Sequence, residues 1–255
     1  MTLDARSMAV GLFEARTAGE QFRPVAGLAS GDLNQAYNVQ DELFSLISQE
    51  QAGWKIALTN AGARAAFDVP EPIYARLGKG RMAANAAVLQ ANQFMHPGIE
   101  MELAVRIARP FPPESSPMGD LGDYIDVVAA AYEIIDDRNA DYRAIDAASL
   151  VADLCWNRGF MLGPSCPFDQ LGKVADLECV LEIDGRQVAA ASGLAGDNPL
   201  EAVIGLSAHL RKRGMRIEAG EWVMTGSLLP PVFCEAGQKF DFRIGTLPSA
   251  EMCIV

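Results

Sequence analysis

Four charged residues stand inside apolar stretches of this sequence, where charged side chains are uncommon. Glu100 and Glu102 are one residue apart in the run "IEMELAVRI". Glu133 interrupts "AAAYEIID", and Lys55 is the lone cation of "WKIALT". Side chains alternate between the two faces of a β-strand, so Glu100 and Glu102 are expected to share a face. Buried carboxylates this close would repel each other, and one would take up a proton.

A hard divalent cation between the three carboxylates would remove this repulsion, because oxygen-rich sites suit magnesium, calcium or manganese. Three carboxylates would leave coordination positions open, as a catalytic metal ion requires. A lysine beside such an ion, here Lys55, could stabilise a developing enolate or transfer a proton. The alternative is that the glutamates lie on an exposed strand face or pair with arginines, and that Lys55 is a surface residue whose aliphatic stem covers apolar surface.

Composition excludes several classes of protein. The chain has 255 residues and a formal net charge of −12, so we expect it to repel nucleic acids and anionic membranes. No apolar stretch is long enough to span a bilayer, and the N-terminus does not resemble a signal peptide. The five cysteines show no CxxC spacing, which predicts free thiols in a reducing cytoplasm. With only two histidines, a zinc site is not expected.

The first half of the chain predicts helices followed by strands. We expect helices over "DARSMAVGLFEARTAG" and "SGDLNQAYNVQDELFSLISQEQAG", with Gly53 ending the second. "WKIALT" predicts a short strand, and "GARAAFDVPEPIYARLGKGRM" predicts a helical turn followed by a loop. We expect a strand over residues 99–107 and a helix over residues 121–130 that passes into the strand "YEIIDD". "SLVADLCWNRGFMLG" is ambiguous between helix and strand.

The last third is expected to be mostly β-structure with one helix. Asp184 and Gly185 mark the turn of a hairpin in "LECVLEIDGRQVAAASG". Asn198 and Pro199 mark the start of a helix, and Gly214 lies past its end. "GEWVMTGSLLPP", "KFDFRIG" and "AEMCIV" predict strands.

These elements predict an α+β fold. No low-complexity linker or internal repeat divides the chain. We therefore expect a single catalytic domain over residues 1–255, in which a helical N-terminal part, residues 1–80, packs on a β-rich core, residues 81–255.

The order of the blocks resembles the 2-keto-4-pentenoate hydratase / 4-oxalocrotonate decarboxylase family, a branch of the fumarylacetoacetate hydrolase superfamily. The resemblance extends from about Ala36 to Cys253. It implies a mixed β-roll core of the fumarylacetoacetate hydrolase C-terminal-domain type with surrounding helices. It also implies a homo-oligomer, and a possible complex with a related hydratase or decarboxylase subunit. The matching blocks are "GWKIALT", "PIYARL", "IEMELAVRI", "YEIIDDR", "VADLCWNRGFMLG", "NPLEAVIGLSAHL" and "GEWVMTGSL".

By matching motifs, this resemblance places Mg²⁺ or Mn²⁺ on Glu100, Glu102 and Glu133. It matches Lys55 to the lysine of the family's GxK motif. In "VADLCWN" the family's asparagine is missing from its usual place, and Asn157 is a candidate replacement. The substrate-facing positions that the resemblance implies are Ile73, Leu103, Asp153, Thr225, Gly226 and Ser227.

The activity that the resemblance implies is that of a lyase acting on small 2-oxo or 2-hydroxydienoic acids in the meta-cleavage catabolism of aromatic compounds. The first hypothesis is a hydratase that adds water to a 2-hydroxy-2,4-dienoate of the 2-oxopent-4-enoate type and gives a 4-hydroxy-2-oxo acid. The alternative is a decarboxylase of 2-oxo-3-hexenedioate (4-oxalocrotonate). Less favoured are a C–C hydrolase of the acylpyruvate type, whose N-terminal histidine block is missing, and a non-catalytic homologue, against which the intact set of Lys55 and glutamates argues.

One departure from the family pattern bears on this choice. The loop after the lysine strand reads "EPIYARL", with Ile73 where hydratases carry an acid, as in "PDFG", and where decarboxylases read "PIYG". Glu71, or Asp68 before it, is then the nearby candidate for a catalytic acid. Arg76 is the candidate cation for the second carboxylate of a decarboxylase substrate, although a surface arginine would give the same pattern.

Overall fold

The computed structural model describes residues 4–47, 50–111, 121–192 and 198–255. Within these ranges the helices are α1 (Ala5–Ala18), α2 (Leu33–Ile47), α3 (Ala61–Ala66), α4 (Ala147–Ala152) and α5 (Pro199–Lys212). The strands are β1 (Gln51–Ala57), β2 (Ile73–Gly78), β3 (Met82–Ala83), β4 (Ala87–Leu89), β5 (Pro97–Ile107), β6 (Ile125–Asp136), β7 (Asn157–Leu162), β8 (Cys166–Pro167), β9 (Glu178–Ile183), β10 (Arg186–Ser192), β11 (Trp222–Ser227), β12 (Val232–Phe233), β13 (Lys239–Ile244) and β14 (Ala250–Ile254).

The larger of two sheets curls into a roll. Its strand order is β2-β1-β11-β5-β6-β7-β3, and β12 and β8 add to it at β5 and β6. β1 and β11 are parallel although they come from opposite ends of the chain, and β5 and β6 form a long antiparallel pair. β2, at one end of this order, also contacts β7 near the other end. The sheet therefore has an inner face, which lines the roll, and an outer face.

The outer face packs against the smaller sheet, whose order is β10-β9-β13-β14-β4. Tyr132 of β6 lies between the two sheets, with its ring 6.5 Å from that of Phe240 and 6.0 Å from that of Phe242. Its hydroxyl donates to the carbonyl of Ala250 at 3.2 Å. Aromatic side chains of this size supply much of the apolar area that a core buries. The predicted α+β class, with a mixed β-roll and surrounding helices, is confirmed.

The helices of the N-terminal part cover one side of the roll. α1 packs on α2, and α2 packs on β2 and α4. The buried Gln40 side chain of α2 donates to the carbonyls of Tyr74 in β2 and Val151 in α4, which joins these elements by polar contacts. We expected residues 1–80 to be a helical part on a β-rich core, and the structure adds that β1 and β2 of this segment are strands within the larger sheet.

Three local predictions are wrong. Residues 121–130 do not form the expected helix. A single 3-10 turn at Leu121–Asp123 is followed by β6, which begins at Ile125 and pairs along its length with β5, and this pairing overrides the helix propensity of its alanines. Residues 73–78 form β2 instead of a loop, paired with β1. Gly53 lies inside β1 instead of ending α2. A Cβ there would lie 1.8 Å from the carbonyl oxygen of Trp222, so this approach of β1 to β11 requires glycine.

The remaining element predictions are confirmed. The hairpin of β9 and β10 turns at Asp184 and Gly185, whose φ angles of 53° and 73° suit a two-residue turn. Asn198 caps α5 by accepting a hydrogen bond from the amide of Leu200 at 3.0 Å, and Pro199 is the first helical residue. Among the described residues, no helix has the length and apolar character needed to cross a membrane.

Candidate active site

The three singled-out glutamates meet on the inner face of the roll. Glu100 lies directly opposite Glu133 in the β5–β6 pair, and Glu102 is two residues further along β5. One carboxylate oxygen of each lies within 4.8 Å of those of the other two. In the part of the chain that the structure describes, this is the one group of three or more acidic, cysteine or histidine side chains close enough to share a metal ion.

Burial gives this acidic group unusual protonation behaviour. Glu102 and Glu133 are 0% exposed, while the side chain of Glu100 keeps 19% of its surface. Burial and the neighbouring carboxylates raise the pKa of Glu102 well above its usual value. Burial also raises the pKa of Glu133, although the ammonium of Lys55 opposes this shift. The three acids are therefore not readily ionised together unless further positive charge is supplied.

Lys55 of β1 supplies part of that charge. Its Nζ atom lies 2.7 Å from Oε2 of Glu133 and 3.8 Å from Oε2 of Glu100, and the residue is 1% exposed. Nζ also donates to the carbonyl of Cys155 at 3.3 Å. Burial disfavours the charged ammonium, but the two carboxylates outweigh it and hold the pKa of Lys55 above its usual value. Lys55 is therefore a fixed cation next to the acidic group.

Two further groups orient the carboxylates. The Asn157 side chain donates to Oε1 of Glu133 at 2.8 Å, and the amide of Gly226 donates to Oε2 of Glu102 at 2.7 Å. Gly226 has a φ of +104°, and a Cβ there would lie 2.4 Å from Cγ2 of Thr59, so the position requires glycine. Oε1 of Glu102 is buried and has no hydrogen-bond partner among the described residues.

A strained turn presents the carbonyl that Lys55 binds. Leu154, Cys155 and Trp156 have consecutive φ angles of 55°, 49° and 61°, all in the left-handed region. Residues other than glycine adopt this region at a cost of about 1–3 kcal/mol each. The surrounding structure must therefore hold this left-handed turn, residues 154–156, in place.

Arg16 of α1 holds the turn at both ends. Its guanidinium donates to the carbonyls of Asp153 and Asn157, the residues on either side of the turn. It also pairs with the Asp153 carboxylate at 2.9 Å, and Arg138 pairs with the second oxygen of that carboxylate at 2.8 Å. Asp153 was predicted to bind substrate. The structure instead buries its carboxylate between two arginines, and Asp153 does not line the cavity that opens beside the acidic group.

A cavity of about 730 Å³ opens beside the acidic group. Lys55, Glu100 and Cys155 form one part of its wall, and Ser227 also lines it. Most of the remaining wall is apolar and comes from loops, from α3 and α4, and from residues of β1, β6 and β12. A concave, largely apolar cavity with a few converging polar groups is the usual form of a small-molecule site.

Of the predicted substrate-facing positions on β5 and β11, two lie at the site. Gly226 holds Glu102 through its amide, and Ser227 lines the cavity. Thr225 uses its buried hydroxyl to donate to the carbonyl of Leu103 at 2.8 Å. Leu103 alternates with Glu102 along β5 and so points to the outer face. The side chains of Thr225 and Leu103 are not in the cavity wall.

The strand register separates Arg76 from Lys55. Arg76 pairs with Trp54, the neighbour of Lys55, so its side chain points to the opposite face of the sheet. Its guanidinium lies 4.7 Å from the Trp54 ring centroid and pairs with Asp41 at 2.8 Å. This placement gives no support to the role predicted for Arg76 at the far end of the substrate.

Glu71, the candidate acid, and Ile73, which stands where hydratases carry an acid, also lie outside the cavity wall. Ile73 pairs with Ala57 on the side of the sheet that carries Lys55, and it is 1% exposed. The side chain of Glu71 is 52% exposed and lies 3.8 Å from Nζ of Lys212. The structure therefore does not bring Glu71 to the acidic group.

Sequence reasoning missed two contributions to the site. Cys155 acts through its main-chain carbonyl, for which its residue type carries no signal. Arg16 acts from α1 across the fold, and a basic residue in the last turn of a helix has an ordinary explanation in the helix dipole. Asn157, which the sequence offered only as a possible replacement for a missing asparagine, holds Glu133.

Comparisons with known proteins agree with this geometry. The 4-oxalocrotonate decarboxylase of Pseudomonas putida is 30% identical over 206 residues, which covers 77% of this chain and 75% of that protein. The TodF product hydratase of Pseudomonas putida F1 is 28% identical over 249 residues, covering 93% and 90%. The structure of a 4-oxalocrotonate decarboxylase from Pseudomonas putida G7, complexed with magnesium and adipate, superposes with a TM-score of 0.88 at 26% identity over 98% of this chain and 97% of that one.

The family model that matches is the fumarylacetoacetate (FAA) hydrolase C-terminal model, over residues 54–255. This range includes the glutamates, Lys55 and the left-handed turn, but not α1 and α2. The match covers most of the chain, and the predicted family resemblance is confirmed: the chain belongs to the fumarylacetoacetate hydrolase family.

Proposed function

We propose that this protein is a divalent-metal-dependent lyase, a hydratase that adds water to a 2-hydroxy-2,4-dienoate. The observation that carries the proposal is the convergence of Glu100, Glu102 and Glu133, with one oxygen of each within 4.8 Å, beside Lys55 at the wall of a 730 Å³ cavity. Relatives with hydratase and decarboxylase names support a lyase of this kind.

The acidic group fits Mg²⁺ or Mn²⁺. Three carboxylates against one ammonium leave an excess of two negative charges when all are ionised, and a divalent ion would balance it. The buried, unpartnered Oε1 of Glu102 is a free oxygen donor of the kind these ions prefer. When bound, the ion would polarise the 2-oxygen of the substrate and favour its enolate form.

The chain's own residues would position the substrate and stabilise negative charge. Lys55 keeps its proton at Nζ, because Glu133 and Glu100 favour the ammonium, and it offers that charge to an enolate oxygen at the cavity wall. Asn157 and Gly226 fix the two buried carboxylates. In the overall reaction C5 gains a proton, C4 gains hydroxide and C3 gains a proton as the enol becomes the 2-oxo group, so one water is added.

Decarboxylation of a 2-oxo-3-enedioate is the second candidate. Ile73 favours it, because no acid stands at that place in β2. However, an enedioate carries a second carboxylate, which needs a cation at the far end of the cavity. Among the described residues, the cavity wall holds one cationic side chain, Lys55, and it is already paired with Glu133. This charge distribution favours the hydratase.

We also propose that the protein is a cytoplasmic homo-oligomer whose substrate is formed in aromatic catabolism. The support for the compartment is the absence of disulfides, since all five cysteines are free thiols. The support for the pathway and for assembly is the family resemblance alone. Sedimentation equilibrium at several protein concentrations would test the oligomer.

A parallel turnover assay tests the reaction. Metal-loaded protein is offered 2-hydroxypenta-2,4-dienoate and 2-oxohex-3-enedioate, and dienoate absorbance and released carbon dioxide are both measured. We expect loss of dienoate absorbance without carbon dioxide. Glu102→Gln should abolish it, and Glu42→Gln, at an exposed ion pair with Arg6, should not.

The outcomes separate the candidates. Carbon dioxide release from the enedioate, with no hydration of the dienoate, would make the protein a decarboxylase. No turnover of either compound with magnesium still bound would keep the metal site and contradict both reactions. If magnesium or manganese does not bind at all, the assignment of the glutamates as ligands is wrong.

A further inference from the structure

Resting on the proposed reaction, we infer that the natural substrate carries an uncharged, apolar substituent of several carbons at the far end of the dienoate. Two properties of the 730 Å³ cavity support this inference: its size and the chemistry of its wall. Both concern residues away from the acidic group.

The cavity is larger than a five-carbon acid requires. An apolar cavity of about 150 Å³ accommodates benzene, a molecule of six carbons. The cavity here is about 730 Å³, a volume that lies in the range of sites for considerably larger ligands. A short dienoate held at Lys55 and Glu100 would leave most of this space to water.

The wall away from Lys55 and Glu100 is mostly apolar, and its polar side chains, those of Thr59, Asn60, Tyr142 and Ser227, are uncharged. It includes the aromatic rings of Phe67 and Phe233 and a pair of adjacent prolines, Pro230 and Pro231. The other large apolar side chains in this wall are those of Ile56, Leu58, Ile135, Leu150, Trp156, Leu228 and Leu229. Such a surface gains free energy by covering alkyl or aryl carbon, at about 0.8 kcal/mol for each buried CH₂.

A charged substituent is disfavoured in the same place. A carboxylate among these side chains would lose its hydration without gaining a cationic partner. The guanidinium of Arg64 donates to the carbonyls of Leu58 and Thr59, two residues of the wall, but Arg64 itself is not part of the wall. The segments outside the described ranges, residues 1–3, 48–49, 112–120 and 193–197, contain no lysine, arginine or histidine.

A substrate series tests the inference. The 2-hydroxy-2,4-dienoates would carry hydrogen, methyl, ethyl or propyl at C5, and a matched pair would carry isopropyl or carboxylate, groups of nearly the same shape. We expect kcat/KM to rise about fourfold for each added methylene. We expect the isopropyl compound to exceed the carboxylate by at least about 100-fold. Equal turnover of the matched pair, or a fall in kcat/KM from hydrogen to propyl, would overturn the inference.

A variant pair locates the effect in the cavity. Ala63 of α3 lines the cavity, and Ala66 of the same helix is exposed and does not. Ala63→Phe should lower the ratio of kcat/KM for the propyl compound to that for the unsubstituted one, whereas Ala66→Phe should not change it. An unchanged ratio in Ala63→Phe, with the variant folded by circular dichroism, would show that the tail binds elsewhere.

A binding measurement keeps this inference separate from the proposed reaction. If no dienoate is hydrated, the hydratase proposal fails. Calorimetry of metal-loaded protein with 2-oxopentanoate, 2-oxooctanoate and 2-oxoadipate would still compare the tails. Tightest binding of 2-oxooctanoate would support an apolar tail, whereas tightest binding of 2-oxoadipate, reversed by Arg64→Met, would assign a dicarboxylate and overturn the inference.

Discussion

Among the residues that the structure describes, two buried ionic clusters differ in the sign of their excess charge and in their surroundings. The carboxylate cluster joins Lys55 to Glu100, Glu102 and Glu133 and faces the 730 Å³ cavity. The arginine cluster joins Asp153 to Arg16 and Arg138, and none of its three residues lines that cavity. Burying the charges of either cluster costs desolvation free energy, so each cluster is expected to have a structural or functional role.

The difference between the clusters indicates that one binds a ligand and the other stabilises the fold. In the arginine cluster both oxygens of Asp153 are paired, and the Arg138 guanidinium lies 5.6 Å from the Phe22 ring centroid. Both clusters keep buried polar atoms without a hydrogen-bond partner among the described residues: Oε1 of Glu102 in the carboxylate cluster, and nitrogens of Arg16 and Arg138 in the arginine cluster. What distinguishes the carboxylate cluster is that Lys55 and Glu100 line the open cavity. An excess of buried charge beside an open cavity indicates a binding site for a ligand. A carboxylate paired with two arginines, one of which also binds main-chain carbonyls, indicates a structural role.

The largest expected effect comes from breaking the carboxylate cluster at Glu102. Glu102→Gln should lower the affinity for Mg²⁺ or Mn²⁺ by at least about 100-fold and abolish turnover, since even residues that only support metal ligands change affinity by about 10- to 100-fold. Metal titration by calorimetry measures this, with Glu42→Gln as the control. Unchanged metal affinity would remove Glu102 from the ligand set.

Lys55→Met should act on turnover and spare the metal site. Loss of the ammonium that faces the cavity should lower kcat by about 10²- to 10³-fold, a typical result of removing one charge-stabilising donor. Metal affinity should not weaken, because a cation that competes for Glu133 and Glu100 is gone. Steady-state kinetics and metal titration measure the two effects, with the exposed Lys79→Met as control. Normal kcat in Lys55→Met would contradict the role of Lys55.

Breaking the arginine cluster should lower the free energy of unfolding. Arg16→Met leaves the buried Asp153 with one arginine partner and removes both donors from the ends of the left-handed turn. We expect a loss of about 3–5 kcal/mol in the free energy of unfolding. Arg6→Met, on the same helix but in an exposed ion pair, should cost less than about 1 kcal/mol. Denaturant unfolding measures both, and equal losses would show that Arg16 holds nothing in place.

The pH dependence of stability should distinguish the metal-free from the metal-loaded protein. Burial raises the pKa of Glu133 from 4.5 to about 8, so the folded protein retains a proton that the unfolded chain releases. This contribution is present below pH 4.5 and is lost as the pH rises through 8. Between pH 6.5 and 8 the free energy of unfolding should fall by about 1–2 kcal/mol without metal, and less with it.

The pH range starts at 6.5 because below that value the titration of His209 changes the free energy of unfolding in the opposite direction. Burial lowers the pKa of His209 from 6.5 to about 4, so His209 makes stability rise with pH below 6.5. Denaturant unfolding of metal-free protein at a series of pH values tests the expectation. Glu133→Gln should reduce the fall between pH 6.5 and 8, although the raised pKa of the buried Glu102 acts in the same direction. A flat curve for the unmodified protein would contradict the assignment.

Arg76→Ala should have the smallest effect on activity. Its side chain is on the face of β2 opposite to that of Lys55, so turnover of dienoates should not change. Loss of the contacts with Asp41 should cost about 1 kcal/mol of stability. A selective loss of enedioate turnover would instead support Arg76 as the cation that binds the second carboxylate of the substrate. It would then favour the decarboxylase over the hydratase.

The sequence predicted most of the carboxylate cluster because it depends on strand alternation. Glu100 and Glu102 share a face in any regular strand, and an acid or a lysine inside an apolar run has few ordinary explanations. The same reasoning could not place Arg76. Residues 73–78 were taken for a loop, and the face to which a strand residue points is known only when the strand is recognised and its register with a neighbour is fixed.

The arginine cluster escaped prediction for a different reason. It joins residues that are far apart in the chain, and it acts on main-chain carbonyls, which every residue possesses. Asp153 was recognised as a special residue, but its partners decide its role, and Arg16 lies outside the range that the family model matches. The alanines of β6 show the same limit, because only the pairing with β5 makes that segment a strand.

The parallel pairing of β1 with β11 has a consequence for the newly synthesised chain. Lys55 emerges from the ribosome long before β11, which flanks β1 and supplies Gly226. Contacts between such distant segments form slowly, because a long loop must close before they add stability. The nascent chain therefore cannot complete its acidic site until β11 has left the ribosome, and metal loading should follow the pairing of β1 with β11.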